Sequence, residues 1–317
     1  MSGSSIKSYL NALETFDNFL IGQGVRDYRE VTETTAGAYV RHVRSATYGS
    51  KNKPYSYTAI RKKISCVRTL FRLLVKEELI FSDPFGRIEF VRKPQALPGR
   101  VLSREEIQLL FSQPNQETYL GYRDRTVLEL LYGSGMRLGE LVKLDIEDID
   151  FGERLIFIRQ GKGKKDRIIP CTRTALAFVE EYLKAVRPAL CFLDTGTRAL
   201  FLTLYSDRLT ATAFRSVFRK VIHKAGITGR VSPHSLRHTF ATHLLEGGAS
   251  VRYIQQILGH EQLSTTAVYT RVSVTSLQKM LNSFHPLENG LIEEEPEIPT
   301  RYTRNRHPGI DGKGGGE

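Results

Sequence analysis

The sequence predicts a mainly α fold with a small antiparallel β-sheet, divided into two domains. Three observations lead there. Apolar residues recur every three or four positions along most of the chain. Two isoleucine-rich runs near the middle are β-prone instead. The segment KPQALPGR at 93–100 has two prolines, a glycine and flanking cations, the composition of an extended connector. A length of 317 residues suits two units, each large enough to bury a core.

The first helix is expected over 4–21, where Ile6, Leu10, Leu13, Phe16 and Leu20 form one apolar face and Gly22 supplies a stop. A short helix near 35–44 and a longer one over 58–77 follow, so residues 1–92 read as an all-helical domain. The third helix carries Ile60, Ile64, Val67, Leu70, Phe71 and Leu74 on one side. Arg61, Arg68 and Arg72 fall on the other, with Lys62 and Lys63 nearby. That basic face suits a phosphate backbone, although a merely solvated face would show the same spacing.

A second domain is expected over 101–286, beyond the linker at 93–100. Ser103 followed by Glu106 has capping-box spacing, and Ile107, Leu110 and Phe111 continue a helix from it. A helix over 125–132 should break at Gly133-Ser134-Gly135, and another should run over 136–144 with Arg137 in its first turn. The β-prone runs 154–159 and 167–170 flank a loop containing Lys162, Lys164 and Lys165, which reads as a hairpin with a basic tip. The remainder to about 284 reads as helical. Residues 287–317 combine acidic residues, prolines and a glycine-rich end without any period, and are expected to be a disordered tail.

A formal net charge of +12 favours a polyanionic partner, because each phosphate neutralised by Lys or Arg releases condensed counterions; an unspecialised basic surface is the plainer alternative. Cys66, Cys171 and Cys191 are odd in number and widely spaced, unlike a zinc site or a disulfide framework. With no apolar run of membrane-spanning length and no signal-like start, the expected location is cytoplasmic.

The chemistry-bearing residues are each ambiguous alone. Ser232-Pro233-His234-Ser235-Leu236-Arg237-His238 opens a helix, placing His234 and Arg237 on one face near its positive end, where an anion is favoured. Polar residues in a first turn can equally face water. His260 follows Gly259 just past the next helix, a position that also suits a simple partner for the helix dipole. Tyr269, nine residues on, would by itself be an ordinary packing aromatic.

The ordered set is another matter. Arg137 between GSGM and LGEL, Lys162 in GKGKKDR, His234 and Arg237 in HSLRH, His260 ending LGH, and then Tyr269 resemble in order and spacing the signature of the tyrosine recombinases, the phage integrase family. The likeness covers nearly the whole chain to about Pro286. Its finer features, SCVRTLFRLLVKEELIFSDPF, LPGRVLSREEI and a closing helix that ends in His285-Pro286, are similar to the Xer-like branch. The extension after Pro286 departs from that branch and turns the reading towards a mobile element.

The resemblance implies a two-domain DNA clamp, with a helical core-binding (SAM-like) domain and a catalytic domain. It implies Tyr269 as nucleophile, giving a 3′-phosphotyrosyl intermediate, and Arg137 and Arg237 as the phosphate clamp. His234 would be the acid/base, His260 a phosphate hydrogen-bonder and Lys162 the donor to the leaving 5′ oxygen. Glu140, one turn after Arg137, would orient its guanidinium or else make an ordinary surface ion pair. The implied partners are a double-stranded DNA recombination site and a homo-tetramer on synapsed DNA, with the protein a monomer or weak dimer when free. The helix over 273–284, with Val274, Leu277 and Leu281 on one face, resembles a segment exchanged between protomers; packing on its own domain is the alternative. The chemistry calls for no cofactor, neither metal nor ATP, since arginines do the charge neutralisation and the phosphotyrosyl bond retains the energy for resealing. The role would be integration or excision of a mobile element, or Xer-like dimer resolution through a Holliday junction. A type IB topoisomerase-like relaxing enzyme and a non-catalytic DNA-binding descendant are the competing classes. The Xer-like first domain argues against the former, and the presence of all six residues against the latter.

Overall fold

The computed structural model describes residues 3–48, 52–88, 100–159, 166–191, 196–259 and 271–292. The chain divides into two compact units, 1–96 and 97–317. No helix among the described residues is long and apolar enough to cross a membrane.

The first unit contains α1 (Gly3–Gly22), α2 (Glu33–Ser45) and α3 (Tyr57–Lys76). Thr32 and Ser56 open the second and third helices by accepting hydrogen bonds from Thr35 N and Ala59 N. The core is aromatic. Phe16 packs edge-on to Tyr39 with ring centroids 4.7 Å apart, and Phe71 and Phe85 complete the cluster.

Two expectations need correction here. The unit is not all helical, because β1 (Thr47–Tyr48) and β2 (Lys53–Pro54) pair antiparallel in a connection too short to show a strand period. Nor does Lys63 belong to the basic face. Its side chain turns inward, and Nζ donates to Thr15 Oγ1 (2.7 Å) and Asn11 Oδ1 (3.3 Å) on α1, one residue position being enough to rotate a helical side chain by 100°. Arg61, Lys62 and Arg72 are exposed, and half-buried Arg68 donates to Gly86 O.

The second unit is built around a buried helix. It begins with α4 (Arg104–Phe111), opened by the Ser103–Glu106 capping box, and α5 (Tyr119–Ser134). Residues 122–134 of α5 are all buried. Its first half is charged, yet Arg125 pairs with Glu129 at 2.6 Å, and Arg123 with Asp124 at 2.6 Å, inside the domain. This is why the helix starts six residues before its expected beginning: a helix buried all round has no amphipathic stripe to reveal it.

After α5 comes α6 (Leu138–Leu141), a single turn rather than the expected helix over 136–144. Next, β3 (Ile149–Asp150), β4 (Leu155–Ile158) and β5 (Arg167–Pro170) form one antiparallel sheet in the order β3-β4-β5, with Ile156 opposite Ile169 and Ile158 opposite Arg167. Only two of its strands were expected. The tip carrying Lys162, Lys164 and Lys165 lies outside the described residues.

The chain continues through α7 (Arg173–Glu181), a π-helical turn (Tyr182–Val186) and α8 (Arg187–Leu190). A non-helical stretch then corrects the expectation of continuous helix to 284. There Leu202 bridges Arg208, and Ala199 bridges Asp145. Finally come α9 (Ala211–Lys224), α10 (Pro233–Glu246), α11 (Val251–Leu258) and α12 (Arg271–Phe284). In this single chain α12 packs on its own domain, burying Leu277, Met280 and Leu281 in the common core.

Residues 287–292 do not belong to the expected tail. Leu287 and Ile292 are core residues, 8% and 2% exposed. Buried Glu288 accepts from Arg173 N at the start of α7 (2.5 Å) and pairs with Arg154 (3.4 Å), so a carboxylate that reads as the start of an acidic tail caps a helix. Residues 293–317 lie outside the described residues. Truncation after Ile292 keeps both core side chains and the Glu288 cap, and is expected to leave the denaturation midpoint nearly unchanged. Truncation after Pro286 should cost roughly 3 kcal/mol, the order expected for exposing two aliphatic side chains. Denaturant unfolding of both truncations checks this, and equal stabilities would return 287–292 to the tail.

Candidate active site

The site begins with a helix that stops. At the end of α5, Gly135 takes φ +64°, a left-handed conformation available to glycine at little cost. A Cβ there would lie 2.4 Å from Phe240 Cδ1, so the turn is pressed against α10. The reversal leaves Arg137 extended at the N-cap of α6, not in its first turn. From there its guanidinium reaches solvent, with its side chain 32% exposed.

Glu140 holds Arg137 in place. Its Oε1 accepts from Arg137 Nη1 (2.8 Å) and its Oε2 from Arg137 N (2.8 Å). The same oxygens accept from Arg167 Nη1 (3.0 Å) and Nη2 (2.8 Å), so four donors converge on one carboxylate that is only 9% exposed. Burial alone would raise its pKa; the hydrogen bonds from Arg167 and Arg137 outweigh that and bring it to about 2. Glu140 is thus no ordinary surface pair. Arg167 escaped the sequence reading because, as the first residue of a β-strand beside a lysine-rich tip, it looked like one more surface cation.

Arg237 comes from the first turn of α10, where Ser232 N donates to Ser235 Oγ (3.1 Å) and Pro233 occupies the first helical position. The residue is 4% exposed. Nη1 donates to Gly135 O (2.8 Å) and Nη2 to Leu258 O, so the guanidinium ties the α5 turn to the end of α11. No carboxylate bonds to it among the described residues. Burial first, and then repulsion from Arg137, lower its pKa to about 10, which leaves it charged at neutral pH.

His234 is exposed, three residues before Arg237. Partial burial, then the charges of Arg237 and Arg137, push its pKa below the ordinary 6.5, so the neutral imidazole prevails at pH 7. Arg137, His234 and Arg237 open onto one depression of about 690 Å³, shared with Arg159, Arg215 and Arg219. Arg215 and Arg219 lie one turn apart on an exposed face of α9, next to the buried stripe of Phe214 and Phe218. That basic face was as regular in the sequence as the one on α3, but no motif drew attention to it. Lys162, His260 and Tyr269 lie outside the described residues.

An open, cationic depression with a buried guanidinium that bonds no carboxylate among the described residues is chemically a receptor for an anion on which charge can build. Comparison with known proteins specifies the class. The family model described as "Phage integrase family" matches residues 100–275, and that described as "Phage integrase, N-terminal SAM-like domain" matches residues 1–78. The chain belongs to the phage integrase family, the tyrosine recombinases, enzymes that break and rejoin DNA in site-specific recombination.

Within that family it is Xer-like. It is 36% identical over 287 residues to tyrosine recombinase XerC of Oceanobacillus iheyensis, covering 90% of this chain and 91% of that protein. It is 34% identical over 286 residues to tyrosine recombinase XerD of Staphylococcus saprophyticus, covering 90% and 94%. The fold is shared with the Tn1549 transposon integrase in complex with a circular intermediate DNA, at a TM-score of 0.65 and 19% identity over 89% of this chain and 94% of that one. It is shared also with a lambda integrase dimer bound to a COC′ core site, at a TM-score of 0.58 and 16% identity over 94% of each chain. Among the three function classes open from sequence, the recombinase is the one these relatives support.

Proposed function

We propose that this recombinase cleaves DNA by attack of Tyr269 Oη on a backbone phosphate, forming a 3′-phosphotyrosyl bond and releasing a 5′-hydroxyl. A 5′-hydroxyl from a second duplex then attacks the phosphotyrosyl phosphorus, expels the tyrosine and reseals the strand. The observation that carries this reading is the convergence of Arg137, His234 and Arg237 on one depression, with the charge of Arg237 lacking a carboxylate partner among the described residues. Two guanidiniums suit the non-bridging oxygens, because each offers planar paired donors and stays charged. His234, neutral at pH 7, accepts the proton that Tyr269 must lose, which an unaided phenol with a pKa of ~10 retains. His260 hydrogen-bonds a phosphate oxygen, and Lys162 protonates the departing 5′ oxygen.

The working arrangement is a clamp on a double-stranded recombination site. Residues 1–92 form the core-binding domain and 93–100 the linker, and the catalytic domain, expected over 101–286, runs on to include the core residues Leu287 and Ile292. Arg61, Lys62, Arg68 and Arg72 lie along the phosphate backbone, with Lys164 and Lys165 beside the cleavage point. The protein acts in the cytoplasm and is a monomer or weak dimer when free. Four copies assemble on synapsed DNA, as lambda integrase does in the tetramer bound to a Holliday junction. Exchange of α12 between protomers would have to replace the apolar seat it occupies on its own domain. The extension beyond Pro286, which the Xer pattern lacks, favours integration and excision of a mobile element.

Tyr269→Phe tests the reading. On a nicked substrate carrying the cognate site, the variant is expected to bind with unchanged affinity and to yield no SDS-resistant protein–DNA adduct. An adduct that persists assigns the nucleophile to another residue.

A further inference from the structure

Arg167 is the most deeply engaged cation near the depression that the proposed mechanism does not use. Its side chain is 7% exposed against 32% for Arg137, and it does not line the depression. It sits behind Glu140 and supplies two of the four donors on that carboxylate, one to each oxygen. An ionised carboxylate has about four lone-pair positions, so those of Glu140 are all taken. Among the described residues, Glu140 holds one guanidinium nitrogen of Arg137 together with its backbone N–H. The rest of that planar group is free of Glu140.

A second contact places Arg167 under the end of α11. Gly259 has φ +65°, and a Cβ on it would lie 3.1 Å from Arg167 Nε and 3.2 Å from Cδ. The preceding carbonyl, Leu258 O, accepts from Arg237. Arg167 Nε is itself buried without an acceptor among the described residues, so the forked bond to Glu140 is what orients the guanidinium. One side chain therefore touches the supports of both arginines: the carboxylate behind Arg137, and the α11 terminus whose carbonyl holds Arg237.

We infer that Arg167 is a positioning residue for strand cleavage, acting through Glu140 to keep the guanidinium of Arg137 turned to the scissile phosphate. The inference rests on the reading that Arg137 clamps that phosphate. Without Arg167, two lone-pair positions on Glu140 open, and the carboxylate closes on Arg137 bidentately. It then withdraws donors from the phosphate. That weakens stabilisation of the reacting phosphate more than general attraction to DNA, which many other cations share.

Arg167→Gln is expected to slow single-turnover cleavage of a nicked cognate duplex by about 10²-fold, the scale of a small misplacement of a reacting group. DNA affinity should stay within about threefold, since no base or backbone contact is removed. Arg167→Lys keeps the charge but not the fork, so it guards against a folding defect and should still lose about tenfold. The discriminating measurement is the double variant with Glu140→Gln. Because Arg167 acts through Glu140, the double variant should cleave no more slowly than Glu140→Gln alone. Losses that multiply, cleavage within threefold of the parent, or a loss of DNA binding equal to the loss of cleavage would each overturn the inference. Tyr269→Phe run alongside separates the two failures: an adduct there sinks the mechanism, whereas a normal Arg167 variant beside an inert Tyr269→Phe sinks only the positioning role.

Discussion

Arg237→Lys is expected to cut the rate of strand cleavage by ~10³-fold, the scale seen when one preorganised donor to a developing oxyanion is lost. The affinity for DNA should remain within about threefold. The expectation follows from how the fold treats this group. Arg237 is almost fully buried, it bonds two main-chain carbonyls, and Arg137 repels it. Holding a cation out of water on main-chain carbonyls is costly, and an arriving phosphate relieves that cost, most of all when charge accumulates on its oxygens. Lysine fails twice in this position. A single ammonium cannot bridge Gly135 O and Leu258 O while also reaching an oxygen, and a lysine starts from a lower pKa that the same burial would push towards neutral pH. Single-turnover cleavage and a binding isotherm on the same nicked duplex check the split. Cleavage within tenfold of the parent would make Arg237 a strut between the α5 turn and α11; parallel losses in both measurements would make it a docking contact.

The chain announced its chemistry more clearly than its supports. Arg137, His234 and Arg237 were readable because an ordered motif singled them out, and the fold brings these three to one depression. The sheet and the α4 cap were readable because isoleucine runs and the Ser103–Glu106 spacing are local signals. What escaped depends on partners distant in sequence. Arg167 matters through Glu140, 27 residues away, and Lys63 turns inward because Asn11 and Thr15 of α1 receive it. The early start of α5 was not readable, because nothing in a linear pattern shows that Arg125 and Glu129 pair inside a core. Glu288 belonged compositionally to an acidic tail, yet the N–H of Arg173 at the start of α7 donates to it.

The same tertiary accounting predicts an acid weakness in the fold. His285, at the end of α12, is fully buried. Its Nε2 lies 3.2 Å from Tyr132 O, and its Nδ1 receives the N–H of Leu287 at 3.2 Å. A carbonyl can only accept and an N–H can only donate, so the neutral tautomer with its proton on Nε2 satisfies both contacts. A second proton would have to sit on Nδ1, where it would face the Leu287 N–H in an apolar site. Burial accordingly pushes the pKa of His285 down to about 3, only partly offset by the Tyr132 carbonyl. The unfolded chain binds this proton near pH 6.5 and the folded chain does not, so stability falls as the pH drops below 6.5 and keeps falling until about 3. At about 1.4 kcal/mol per pH unit the full effect is up to about 5 kcal/mol, of which about 2 should be lost between pH 7 and pH 5. His285→Gln keeps a donor for Tyr132 O but cannot titrate. It should be less stable than the parent at pH 7, yet should lose about 2 kcal/mol less than the parent on going to pH 5. Urea unfolding of both proteins at the two pH values decides the matter, and equal losses would mean that the folded protein accommodates a charged imidazole where α12 meets the core.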